Sequence, residues 1–156
     1  MNDFCGKSFN MYGYVPKHFK IHEFVDPATY RARGDKAIAL IDWRMLWTMD
    51  AIREYFDVPI TINNWFWGGP RKWSGIRYAN SDEYSQFSQH SYGRAIDFVS
   101  AKMVAAEMRK KIMDNPNEEA FQYITTIENF TNMNWVHIDC RVLRQEQKRY
   151  LIVGRS

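Results

Sequence analysis

Two short apolar stretches of this chain carry ionisable residues at their centres. Asp97 lies within Ala95-Ile96-Asp97-Phe98-Val99, and His137 within Trp135-Val136-His137-Ile138, followed by Asp139 and Cys140. Runs of this length and composition read as buried strands, here 93–99 and 135–140. An ionised carboxylate inside such a strand is costly unless it is paired or binds a metal. Two polar residues embedded in two hydrophobic strands mark a site, not a surface.

The remaining pattern is mixed. Residues 17–25 alternate in part and read as a short strand or extended arm. Asp26-Pro27 has the form of a helix start, and Gly34 interrupts that helix. After Asp42, a second N-cap, the apolar residues Met45, Met49, Ile52 and Phe56 step by 4, 3 and 4, which predicts an amphipathic helix over 43–56. Ile60-Thr61-Ile62 opens a β-rich segment after Pro59. A second helix is expected over 101–115, with Val104, Met108 and Ile112 on one stripe. Further strands are expected over 121–127 and 150–153. Helices and strands mix without a βαβ rhythm, so the expected class is α+β. We expect a single domain over residues 1–156, with a central, mainly antiparallel sheet and flanking helices. Residues 1–17 form an N-terminal arm, and residues 64–89, irregular and Trp- and Gly-bearing, form a long loop beside the active site.

Composition narrows the function. Aromatic residues make up 16% of the chain, enough to fill a core and still line a cleft. The net charge of +3 is too small to predict nucleic-acid binding. Cys5 and Cys140 form no CxxC, which removes a cysteine-rich metal site and a dithiol redox motif, and leaves a disulfide between them open. The first twenty residues contain no signal-peptide core, and no run is long enough to span a bilayer. The expectation is cytoplasmic synthesis without a signal peptide, no membrane partner, and a monomer.

Hydrolytic zinc sites use three His or carboxylate ligands and leave the fourth position for water. His90, Asp97 and His137 would supply that set, with the chain turning at Gly93 between the first two. The pattern S-x-H-x-x-G-x-A-x-D at Ser88, His90, Gly93, Ala95 and Asp97, followed by W-x-H-x-D at Trp135, His137 and Asp139, resembles the zinc D-Ala-D-Ala carboxypeptidase and murein endopeptidase family. An upstream S-G-x-R segment of that family looks like Ser74-Gly75-Ile76-Arg77. The likeness spans residues 18–141 and implies the Hedgehog/DD-peptidase fold. It also implies zinc held by His90, Asp97 and His137, a substrate carboxylate bound by Arg77, and an oxyanion donor such as Ser88. The implied substrate is the peptide stem or cross-link of peptidoglycan. Many short members come from phages, so such a chain would reach the wall through lysis or on a phage particle.

The likeness departs in one place. Several branches carry an acidic catalytic residue three positions before the last histidine, where this chain has Asn134, and an amide is no general base. Two carboxylates remain candidates: Asp139, on the same strand face as His137, and Glu128, ending the preceding strand. Asp139 has a structural alternative, pairing with Arg141. Other features read blandly. His18 and His22 at i, i+4 lack further ligands nearby, and Arg141, Arg144, Lys148 and Arg149 read as a solvated face. Trp65, Trp67 and Trp73 would wall the cleft or pack beneath the loop, and Cys140 reads as a small buried apolar residue. A second reading, from another class, is a zinc-containing structural or binding module, such as a phage virion component that recognises wall polymer without cutting it.

Overall fold

The computed structural model describes residues 9–10, 13–143 and 150–154. Its elements run β1 (Phe9–Asn10), β2 (Gly13–Tyr14), α1 (Pro27–Arg33), α2 (Trp43–Phe56), β3 (Ala95–Phe98), α3 (Ala105–Asp114), β4 (Thr126–Glu128), β5 (Val136–Asp139) and β6 (Leu151–Val153). Short 3-10 turns lie between them. β3, β5, β4 and β6 form one sheet in that spatial order, antiparallel at the first two junctions and parallel at the last. β1 and β2 pair separately. The chain is thus a small α+β domain with a mixed four-stranded sheet and, among the described residues, three α-helices.

Local chemistry accounts for the helices. The Asp26 carboxylate accepts from the amides of Ala28 (2.9 Å) and Thr29 (3.1 Å), with Pro27 in the first turn of α1. Asp42 caps α2 by accepting from the Arg44 amide at 3.0 Å. Met45, Met49, Ile52 and Phe56 are all buried and join one core with Ile96 and Phe98 of β3 and Val136 and Ile138 of β5. Removing each such side chain from water contributes roughly 2 kcal/mol before entropy. α2 also carries a buried charge, Asp50. It accepts from the Tyr14 hydroxyl (2.7 Å) and the amides of Lys17 (2.6 Å) and His18 (2.9 Å), which ties the preceding segment to the helix.

Three expectations need correction. Residues 17–25 form no strand; the segment is irregular apart from a 3-10 turn at Ile21–Glu23, whose carboxylate accepts from the Lys20 amide. Residues 21–25 are all buried, so this half of the connection lies inside the core and its apolar spacing only imitates alternation. The strand expected over 121–127 shrinks to β4, because Phe121 ends a 3-10 turn and packs edge-on against Tyr55 rather than lying in the sheet. α3 begins at Ala105; Val104 is its exposed N-cap, while Met108 and Ile112 keep their buried stripe. Residues 64–89 do form the irregular stretch, with one 3-10 turn at Trp65–Trp67 and a second starting at Gln89.

One buried cation positions the next strand. Arg109 of α3 donates to Asn129 Oδ1 (3.2 Å) and to the carbonyls of Met133 (3.2 Å) and Trp135 (2.6 Å). This holds the turn that delivers β5. Among the described residues, no helix is long and apolar enough to cross a membrane.

Candidate metal centre

The register of β3 against β5 sets Asp97 directly across from His137. Cross-strand partners project to the same face, so both side chains leave the sheet together. β4 pairs with the other edge of β5, Thr126 against Asp139 and Ile127 against Ile138, and continuing that register brings Glu128 opposite His137. Alternation does the rest: Ile96, Ile127 and Ile138 turn to the core, and Asp97, His137 and Glu128 to the other face.

His90 reaches the same face from the 3-10 turn Gln89–Tyr92. Ser88 caps that turn, its hydroxyl accepting from the His90 amide at 3.3 Å. Gly93 closes the turn at φ 67°, and a side chain there would collide with the Leu40 carbonyl, so the glycine is required twice over. The Ser74-Gly75-Ile76-Arg77 segment then clamps both ligands. Ser74 O accepts from the Asp97 amide (2.7 Å), Gly75 O from His90 Nδ1 (2.7 Å), and His90 O from the Arg77 amide (3.2 Å). A Cβ at Gly75 would lie 1.9 Å from the Phe24 carbonyl oxygen, so only glycine lets this segment run so close.

A carbonyl only accepts, so the bond to Gly75 O places a proton on His90 Nδ1 and turns Nε2 inward. That Nε2 lies 3.3 Å from Asp97 Oδ1 and 3.2 Å from His137 Nδ1, and His137 Nδ1 lies 2.8 Å from Asp97 Oδ1. Among the described residues, this buried trio is the one group of three or more His, Cys, Asp and Glu side chains that could hold a metal ion. The donor chemistry fits a cation: two imidazole nitrogens and one carboxylate oxygen lie within 4.8 Å of one another.

The electrostatics agree. Burial alone would raise the Asp97 pKa, but hydrogen bonds from His137 and His90, with their charges, hold it far below the usual carboxylate range. Burial would lower His137; the nearby carboxylates of Asp139 and Asp97, the latter hydrogen-bonded to Nδ1, and the charge of Glu128 instead push it up to about 9. Burial likewise opposes ionisation of Asp139, yet the neighbouring His137 and the hydrogen bonds from Arg141 bring it down to about 2. In the metal-free protein His137 therefore carries a proton on Nδ1 toward Asp97, at the position where a cation would bind.

The two candidate bases differ in setting. Asp139 is fully buried and gripped by the Arg141 guanidinium, and its Oδ2 lies 3.5 Å from His137 Nε2. Glu128 is partly exposed and lines a cavity of about 140 Å³ together with Arg77, Glu83, Ser88, His90, Asp97, Trp135 and His137. Arg77 contacts the site by a different route from substrate binding: its guanidinium grips Asp97 Oδ2, and its Nε donates to Trp73 O at 2.6 Å. Of the tryptophans, Trp73 lines an adjoining hollow, while Trp65 and Trp67 pack around His22. His18 pairs with Glu54 at 2.9 Å. Cys140 is buried and free, its thiol pushed by burial up to about 12; Cys5, Arg144, Lys148 and Arg149 lie outside the described residues. Glu83 and the wall formed by Trp135 escaped the sequence reading. Glu83 sits in an irregular polar stretch with no periodicity to mark it, whereas Trp135, directly before the His137 strand, had a positional signal. No family model, no curated protein and no solved structure matches the chain.

Proposed function

We propose that this chain is a zinc-dependent peptidase that hydrolyses an amide bond in peptidoglycan peptide stems or cross-links, with the Hedgehog/DD-peptidase arrangement that its sequence motifs resemble. The observation that carries the reading is the pairing of a buried three-ligand centre with an open carboxylate in the same cavity wall. His90 Nε2, Asp97 Oδ1 and His137 Nδ1 would hold the metal. When bound, zinc would supply Lewis acidity, polarising the amide carbonyl and bringing the pKa of water to roughly 7.

The chain's own residues do the rest. Glu128 takes a proton from the attacking water and returns it to the leaving amine, as general base and then acid. Asp139, held by Arg141, fixes the His137 ring from its Nε2 side. Arg77 holds Asp97 Oδ2, so that Oδ1 stays turned to the histidines. Ser88 keeps the His90 turn closed and presents a hydroxyl to the cavity.

Glu128→Gln tests the assignment, read by metal content and by mass spectrometry of peptidoglycan digests. Metal content should stay at the wild-type level, while cleavage falls by roughly 10²–10⁴-fold. Wild-type cleavage by Glu128→Gln would overturn Glu128 as the base and return Asp139 to that role. A metal-loaded wild-type protein that binds peptidoglycan and releases no fragment would replace the peptidase with the binding module.

A further inference from the structure

Beside the metal cavity lies a second hollow of about 250 Å³. Arg77, Glu83, Asp97 and Trp135 belong to the walls of both, so the two adjoin. The rest of the second wall is Pro70, Arg71, Lys72, Trp73 and Ser74. The shared wall carries both signs, Arg77 beside Asp97 and Glu83, and the charged residues found only in the outer hollow are Arg71 and Lys72.

The three cations of these walls are not equally free. Arg77 is committed to Asp97 and to the Trp73 carbonyl. Because Asp97 turns Oδ1 to the histidines and Oδ2 to Arg77, a metal on Oδ1 leaves that grip in place. Arg71 is half-buried and donates to Ile62 O (3.0 Å) and Ser74 Oγ (2.9 Å). Lys72 is exposed, and its ammonium lies over the Trp73 ring, 5.7 Å from the centroid, with no acidic partner among the described residues. Of the three, it is the one whose charged group makes no hydrogen bond to the protein among the described residues.

On the peptidase reading above, we propose that the outer hollow is a second substrate subsite that reads a carboxylate on the peptide flanking the cleaved bond, with Lys72 as its charge reader and the Trp73 and Trp135 indoles as its walls. A carboxylate in the outer hollow is drawn toward the exposed ammonium of Lys72. The indole walls give the peptide apolar contact and strengthen the attraction by excluding water. A peptide with a carboxamide in place of the acid meets the same walls and loses the charge contact. Lys72 is thus a specificity residue and takes no part in proton transfer.

The probe is the stem peptide L-Ala-γ-D-Glu-L-Lys-D-Ala-D-Ala and its fully amidated counterpart. Both are titrated by tryptophan fluorescence against the full chain carrying Glu128→Gln, so that neither is consumed, with and without Lys72→Met. The acid form should bind about fivefold more tightly than the amide at low salt, a size typical of an exposed ionic contact. The difference should shrink as salt rises from about 50 mM to about 500 mM. In the Lys72→Met protein the two peptides should bind alike, with the melting temperature unchanged because Lys72 is exposed and unbonded. Equal binding before the lysine is changed, a preference that survives Lys72→Met, or no binding of either peptide overturns the subsite. Digestion of peptidoglycan by the wild type is scored separately. Digestion without acid preference removes the subsite alone, and acid preference without digestion removes the peptidase alone.

Discussion

Two places in this protein bury histidine, and they treat it in opposite ways. His22 sits in a ring cluster, stacked on Phe66 at 4.0 Å and edge-on to Tyr30, Trp65 and Trp67, and its Nε2 is buried with no hydrogen-bond partner. Burial there lowers its pKa. His137 is buried as deeply, and its Nε2 likewise has no hydrogen-bond partner among the described residues, yet carboxylates near both ring nitrogens push its pKa up to about 9. The lesson is that burial does not by itself suit a histidine to a metal. A carboxylate aimed at a ring nitrogen, with a second ring converging on the same oxygen, makes a group that could hold a metal ion. Aromatic neighbours make a buried histidine part of the core.

The sharpest way to break this contrast is to delete each ring. His137→Ala should take metal content, read by elemental analysis, from about one ion per chain to none and abolish cleavage, because only two donors remain. His22→Ala should leave metal content unchanged. Metal retained in His137→Ala would remove the centre from the account altogether.

Next in size is the support of Asp97. Arg77→Met strips one carboxylate oxygen of its partner and should weaken zinc binding about 10- to 100-fold in competition with a chelator, the usual cost of losing an outer contact to a ligand. An unchanged affinity would mean that Arg77 serves substrate alone.

The two histidines should also leave opposite marks on stability against pH, measured by thermal melts of the metal-free protein in chelator. His22 has a folded pKa below its ordinary value of 6.5, so the unfolded chain binds the proton more readily. Its contribution is neutral above pH 6.5 and destabilises as pH falls below it. His137 has a folded pKa of about 9 against 6.5, so its contribution is complete below 6.5 and is lost as pH rises toward 9. Asp97→Asn should flatten that alkaline limb, and a wild-type limb already flat between 6.5 and 9 would contradict the His137–Asp97 pairing.

The smallest effect is at His22 itself. His22→Phe keeps a ring in the stack and removes an orphaned nitrogen. It should raise stability by about 1 kcal/mol, roughly 3 °C for a chain of this size, and erase the acid-side slope. A loss of stability would mean that the nitrogen finds a partner in solution.

Much of this was legible before folding was considered. The stripe at Met45, Met49, Ile52 and Phe56 and the Asp42 cap predicted α2 because helix periodicity and capping act within a few residues. Asp97 and His137 were visible because charge inside an apolar run is rare without a reason. The segment at 17–25 misled because its buried half, residues 21–25, has the same hydrophobicity as a strand, and only its neighbours distinguish them.

The three residues that could hold a metal, the glycine turn between the first two and the α+β class follow from residue type and spacing, both local. The roles of the carboxylates, the cations and the tryptophans do not. Asp139 and Glu128 are equally acidic on paper; one is sealed behind Arg141, and the other faces the cavity because of the β4–β5 register. Arg77 reads as a substrate contact, and only the fold brings its guanidinium onto Asp97; Trp65, Trp67 and Trp73 read as a cleft wall or as packing beneath the loop, and only the fold closes two of them around His22. The Asp139–Arg141 pair spans two residues and was legible in the sequence, whereas the Arg77 and tryptophan contacts join segments 20 or more residues apart at distances of a few ångströms. Side-chain hydrogen bonding and burial act at that range, and no local pattern encodes which partner will arrive.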